Sequence, residues 1–232
     1  MIAVQNVGKR FGKLEVLKAV TFTIEKEGIF AVLGPNGSGK TTLLKIILGM
    51  VIQDHGDVEI AKRSTNRQWG YRKDIAYLSQ IARFPENLTV QEVIRMIGDI
   101  RSTEGRAQEL VALFGLEKFM KQKLIELSGG TRQKVNLVLT FMFDVSLYIL
   151  DEPTAGLDPI ALIQLKKLIK SEREKGKIIL ITTHIMGLVE ELAEEIIFLL
   201  DGNIHFEGSL EALKKRTGKS NLEEAIAEML RA

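Results

Sequence analysis

Apolar and polar positions alternate early in the chain and then fuse into continuous runs. Val20, Phe22 and Ile24 are spaced by Thr21, Thr23 and Glu25, the period-two pattern of a half-buried strand. GIFAVLG (28–34) is almost wholly apolar and closed by glycine, which predicts a buried parallel strand. The period then changes: Leu43, Ile46, Ile47 and Met50 fall at helical spacing between Gly39 and Met50. Strand, Gly-rich turn and helix therefore follow one another between residues 28 and 50.

From Leu88 to Leu127 the pattern is helical. Thr89 precedes VQEVIRMI with Glu92 three residues on, which predicts a capping box, and a second helical pattern covers 104–114 with Gly115 as its stop. Alternation resumes after Gly130: helix 131–143, strand 146–150, helix 160–175, strand 177–183, helix 185–194 and strand 195–200. IIFLL and IHFEG form a predicted hairpin turning at Asp201-Gly202, and the tail reads as helices over 209–216 and 221–230. The polar run AKRSTNRQ (61–68) reads as a solvated loop, and neither repeats nor low-complexity segments occur. Strands and helices alternating on both sides of an all-helical block predict an α/β core with an inserted helical subdomain.

Composition narrows the function classes. The 232 residues suffice for one large domain or two small ones packed together, and 45% hydrophobic with 27% charged residues excludes intrinsic disorder. Without cysteine the chain has no disulfide framework, thiolate metal site or cysteine nucleophile, as suits a reducing compartment. Gln5-Asn6 interrupts any apolar signal core, and the most apolar stretch, 135–150, is broken by Asn136 and Asp144 and too short to span a bilayer. Thirty-two basic residues nearly cancel thirty acidic ones, which argues against a nucleic-acid binder.

Two segments carry chemistry. GPNGSGKTT (Gly34, Pro35, Asn36, Gly37, Ser38, Gly39, Lys40, Thr41, Thr42) has the P-loop spacing, after a predicted strand and before a predicted helix. Its glycines let the backbone N–H groups wrap a phosphate, the helix terminus adds positive potential, Lys40 offers a cation to the β- and γ-phosphates, and the Thr41 hydroxyl suits Mg²⁺. SLYILDEP (146–153) is an apolar strand ending in two acids at the crevice where α/β sheets bind ligands. Alone, such acids would simply begin a loop. With a P-loop upstream, Asp151 is expected to hold Mg²⁺ through its water shell and Glu152 to act as general base.

Together with LSGGTRQKV (127–135), these segments resemble the ATP-binding cassette family over nearly the whole chain. Ser128, Gly129 and Gly130 open a helix, and the resemblance implies that this terminus caps the γ-phosphate of a nucleotide held by an opposite subunit. It further implies that Gln80 in YLSQ reaches Mg²⁺ and the attacking water, that Asp158 in TAGLD lies at the dimer seam, and that His184 in ITTH contacts the γ-phosphate. Phe11 matches the position that stacks on adenine, where Tyr is more usual; the ring face is what stacking needs. The catalytic set is then Glu152, His184, Gln80 and Lys40, the metal set Thr41, Gln80 and Asp151. Thr131 stands where the family usually has Gln, with a shorter reach.

The implied architecture is a P-loop NTPase core (1–81 and 135–208) with an N-terminal antiparallel β subdomain, an inserted helical subdomain (82–134) and a helical tail (209–232). A single cassette without coiled-coil insertion or appended regulatory domain is similar to the stand-alone ATPase subunits of export-type (ABC-2-like) bacterial transporters. This implies ATP and Mg²⁺ as cofactors, a homo- or heterodimer of cassettes, separate transmembrane permease subunits, no nucleic acid, and a place on the cytoplasmic face of the membrane. The membrane subunit is expected to grip the junction from Ile81 to Val93 through exposed apolar residues such as Phe84 and Leu88. The alternative is a soluble cassette for cluster assembly or regulation; a P-loop kinase would leave LSGGT unexplained.

Overall fold

The computed structural model describes residues 1–81, 84–103 and 105–230. The chain opens with two antiparallel strands, β1 (Ile2–Phe11) and β2 (Leu14–Ile24), followed by the fully buried β3 (Gly28–Leu33) and helix α1 (Lys40–Ile47). β4 (His55–Ile60), β5 (Arg63–Ser64) and β6 (Ile75–Leu78) lead into α2 (Val90–Arg101), α3 (Ala107–Leu113) and α4 (Gly129–Phe141). Then come β7 (Leu147–Asp151), α5 (Pro159–Glu174), β8 (Ile178–Thr182), α6 (Met186–Leu192), the hairpin β9 (Glu195–Leu200) and β10 (Asn203–Ser209), and the tail helices α7 (Leu210–Thr217) and α8 (Leu222–Met229).

The strands form two sheets. One is antiparallel, in the order β2-β1-β4-β5; the other runs β10-β9-β3-β8-β7-β6 and is parallel except for the edge strand β10. β3 lies inside the second sheet, between β8 and β9, which explains its unbroken apolar sequence. Successive residues serve opposite faces: Leu147 and Ile149 of β7 pack with α1 and the antiparallel sheet, Tyr148 and Leu150 with the helical block. A third cluster joins the tail to β9, β10 and α6 through Leu213, Leu222, Ala225, Phe198 and Val189.

The helical block forms where its caps predict. Glu92 N–H donates to Thr89 Oγ1 at 3.2 Å and Thr89 N–H to Glu92 Oε2 at 2.8 Å, the capping box that starts α2. The second helix begins at Ala107 rather than 104, and Glu104 lies outside the described residues. Short 3₁₀ turns at Glu117–Phe119 and Leu124–Glu126 complete the passage to α4, which runs across the expected subdomain boundary at 134/135.

Two expectations change. The loop at 61–68 contains β5, and Thr65 is buried beneath it, because Thr65 N–H bonds back to Val58 O and extends the antiparallel sheet. Phe84 and Leu88 are half-buried, with Phe84 packed on the helical-side core, so they are not the exposed apolar pair foreseen at the 81–93 junction. Ile81 is exposed there, while Ala82 and Arg83 lie outside the described residues, as do Arg231 and Ala232 of the tail.

Candidate active site

Strand register brings the candidate residues to one edge. β3 pairs Val32 with Thr182 of β8, β8 pairs Thr182 with Asp151 of β7, and β7 pairs Leu150 with Leu78 of β6. Each strand then ends within a few residues of that level: Gly34 after β3, Glu152 after β7, His184 after β8 and Gln80 after β6. This is the carboxyl edge of a parallel sheet, where ligands of such folds bind.

The turn after β3 is shaped by glycine. A Cβ at Gly34, whose φ is +149°, would stand 2.0 Å from Leu199 O and 2.7 Å from Ser38 Oγ, so only glycine fits. Gly39, at φ +106°, is the N-cap of α1 and offers no side-chain cap, leaving the first N–H groups of the helix for an anion. Ser38 Oγ is buried and has no hydrogen-bond partner among the described residues, an orphan that a phosphate oxygen would satisfy. Lys40 Nζ donates to Gly34 O at 2.7 Å and Pro35 O at 2.9 Å, which curls the ammonium over the loop. Burial lowers its pKa, and the charges of Glu152 and Asp151 work the other way. Thr41 is exposed on the first turn of α1 and Thr42 half-buried beside it.

The carboxylates occupy different environments. Asp151 is 5% exposed, and burial pushes its pKa up; the hydroxyl of Thr182, which donates to Asp151 Oδ1, and the charge of Lys40 oppose that. Tyr77 shares the sheet face of Asp151, and burial followed by that carboxylate's charge pushes its phenol up to about 12. Glu152 leaves the strand with φ at +50°, fixed by Glu152 N–H donating to Thr182 O at 2.9 Å. Its Oε1 lies 3.0 Å from His184 Nδ1. The histidine side chain is 81% exposed and that of Glu152 14%, so the pair faces out of the edge with the carboxylate beneath. Gln80 is exposed at the end of β6, level by register with Glu152.

Ser128, Gly129 and Gly130 stand elsewhere. Ser128 caps α4 by accepting from Thr131 N–H at 3.2 Å, and its hydroxyl is 2.9 Å from that of Thr131. A Cβ on Gly130 would be 2.5 Å from Gly156 O, so the start of α4 is pressed against the turn that follows Glu152. Gln133 Nε2 donates to Pro153 O at 3.2 Å, and Lys134 pairs with Asp158 at 2.6 Å while Asp158 Oδ1 caps α5 at Ala161 N–H. Among the described residues, no hydrogen bond joins Ser128–Gly130 to the 34–42 loop.

Phe11 ends β1 opposite Leu14 and is 51% exposed. The neighbouring β2 closes on the phosphate turn, since Val16 O and Leu17 Cδ2 lie 2.9 and 2.6 Å from where a Gly39 Cβ would be. Sequence reasoning missed Thr182, Tyr77, Gln133 and Lys134. A threonine inside the apolar run IILIT was a signal for the first; the others need the strand register and helix contacts.

Comparison with known proteins agrees with this geometry. Residues 17–155 match the family model described as ABC transporter. The chain is 32% identical over 228 residues to the lantibiotic transport ATP-binding protein SrtF of Streptococcus pyogenes, covering 97% of this chain and 95% of that one. A solved structure of the ATP-binding subunit of an ABC transporter superposes with a TM-score of 0.93 at 28% identity, covering 99% of both chains. A dimeric cassette in a post-hydrolysis state, bound to ADP and Pi, superposes at 0.82 and 28% identity over 90% of this chain and 99% of that one. The P-loop after β3, the acid pair after β7 and the match across most of the sequence make this chain a member of the ABC transporter family, an ATP-binding and ATP-hydrolysing cassette.

Proposed function

We propose that two such cassettes, identical or homologous, close over two MgATP and that hydrolysis reopens them to drive export through separate membrane subunits. The observation that carries this reading is the placement of Ser128–Gly130. This terminus is exposed or half-exposed and, among the described residues, unbonded to its own phosphate loop, and a relative of known structure is dimeric, so a second copy is the partner we assign to it. On this reading the core, the helical subdomain and the tail divide near residues 81, 134 and 208. The protein lies against the cytoplasmic face of the membrane through its partners; among the described residues, no helix is long and apolar enough to cross it.

The donor set suits a magnesium ion. Thr41 offers a hydroxyl, Gln80 an amide oxygen and Asp151 a carboxylate, all hard oxygen ligands, and among the described residues no cluster of three or more acids, histidines or cysteines stands ready as a cage. Thr41 and Gln80, with Asp151 through water, would hold a Mg²⁺, which would neutralise charge on the phosphates. Lys40 exchanges the carbonyls of Gly34 and Pro35 for phosphate oxygens, and Ser38 Oγ gains the partner it lacks. Glu152 accepts the proton of the attacking water. His184, whose Nδ1 lies beside Glu152, is the residue assigned to the γ-phosphate. Phe11 is the stacking face for adenine, and Asp158 lies at the seam beside the start of α5.

Replacing Glu152 by Gln tests the core of this reading. Turnover should disappear while gel filtration with MgATP detects a stable dimer that wild type forms only transiently. Wild-type hydrolysis in this variant would remove Glu152 as the base, and a strictly monomeric variant would remove the shared site.

A further inference from the structure

The strand that carries Phe11 is paired with β2 to its end, at Arg10↔Glu15 and Phe11↔Leu14, but its ladder with β4 stops at Gly8↔His55. β1 slips register against β2 between Val7 and Lys9 and again between Lys9 and Arg10, and against β4 between Gln5 and Gly8. Bulges of this kind bend the strand and re-aim its side chains. On the side facing β4, Asp54 takes the place of a ladder partner beyond Gly8. Asp54 Oδ2 accepts from Arg10 N–H at 2.7 Å, Asp54 Oδ1 accepts from Lys9 Nζ at 2.7 Å, and Asp54 N–H donates to Gly8 O at 2.9 Å. The adjoining His55 ring is packed on Gly8, where a Cβ would come within 1.9 Å of Cε1. Lys9, only 15% exposed in its side chain, places Nζ 5.4 Å from the centroid of the Phe11 ring, a cation–π distance. One face of that ring is therefore backed by an ammonium while half of the residue stays exposed.

Asp54 is also close in sequence to the phosphate helix, since it lies in the segment that joins α1 to β4. The base end and the phosphate end are thus tied together twice, by Val16 against Gly39 and by Asp54 across Gly8, Lys9 and Arg10. We propose that Asp54 and Lys9 are positioning residues for nucleotide recognition: Asp54 clamps the bulged end of β1, and Lys9 backs the Phe11 ring so that its other face meets the adenine. The proposal rests on the reading that Phe11 stacks on the base. Neither residue touches the phosphates, so their effect belongs to the affinity for the base and not to the chemical step.

The test compares MgATP with inorganic tripolyphosphate plus Mg²⁺, a ligand without a base, in the full-length protein. For Lys9→Met, which keeps the aliphatic stem, and Asp54→Ala, KM for ATP should rise about 3–10-fold with kcat unchanged, in line with the modest worth of cation–π and stacking contacts. Tripolyphosphate binding should not move, and Lys9→Arg, which restores both ion pair and cation–π contact, should recover wild-type KM. Equal losses for ATP and tripolyphosphate would overturn the proposal, as would unaltered KM in both variants. Phe11→Ala separates the two readings. If it leaves KM for ATP unchanged, stacking itself fails; if it raises KM while Lys9→Met and Asp54→Ala do not, only the positioning roles fail.

Discussion

A methyl group at position 130 would stand 2.5 Å from Gly156 O, a backbone atom that yields only if the whole turn after Glu152 moves. Gly130→Ala should therefore act on two places at once: the start of α4 and the geometry of Glu152, four residues before Gly156. Overpacking of this kind typically costs about 1–3 kcal/mol, a melting-point loss of roughly 2–12 °C in a chain of this size. Turnover should fall by about tenfold or more because Glu152, the proposed base, is displaced, while MgATP binding to the monomer is retained. Equilibrium binding and steady-state hydrolysis on one preparation decide it; equal loss of both would mean that the fold, not the geometry, has failed. At this scale the phosphate loop was legible because its chemistry is local: spacing, glycines and Lys40 all lie within nine residues. Thr131 was not, since its hydroxyl replaces reach with a bond to Ser128 that only the folded cap reveals.

Between elements, the most costly bond to break joins α5, β7 and the start of α3. Glu172 is 1% exposed and accepts from Arg106 at 2.6 Å, Lys175 at 2.9 Å and the Tyr148 hydroxyl at 3.2 Å. Burial pushes its pKa up, but the hydrogen bonds from Lys175 and Arg106 outweigh it and hold the carboxyl below its ordinary 4.5. A depressed carboxylate stabilises the fold above its unfolded value and loses that contribution as pH falls through the folded one. Glu172→Gln should thus cost about 2–3 kcal/mol at neutral pH, less than a fully buried pair because Lys175 and Arg106 reach solvent. In urea titrations the gap to wild type should narrow below pH 4.5; a gap independent of pH would show that the charge contributes nothing. Elements with an uninterrupted period, such as β3, the β9–β10 hairpin and α2, were readable from sequence. β1 was not, because Val4 and Val7 are both buried three residues apart, across a bulge where Asn6 has φ at +53°. Period-two reading fails wherever a bulge reverses the faces. β4 offered only Val58 and Ile60 as apolar signals.

Taken as a whole, the molecule closes its third core with its own tail. Leu222 is fully buried among Val189, Phe198 and Phe206, and its N–H donates to Glu190 of α6, which also accepts from Lys214 at 2.8 Å. Leu222→Ala should cost about 2–5 kcal/mol and lower the melting temperature by roughly 5–15 °C, measured by calorimetry. An unchanged melting point would mean that the tail folds apart from the cassette. Two tail helices were legible in the sequence but their anchorage was not, because the apolar residues that receive them come from four elements, β3, α6, β9 and β10.

That anchorage bears on timing. Helix α6 begins two residues after His184, so the same Glu190 that fastens the tail also stiffens the platform from which the histidine reaches outward. Rate adjustment in such a motor therefore need not alter any group near the nucleotide. Substitution of Lys214, which removes its ion pair with Glu190, should alter turnover through the seat of His184; a Lys214→Met variant with wild-type turnover would show that the two are uncoupled.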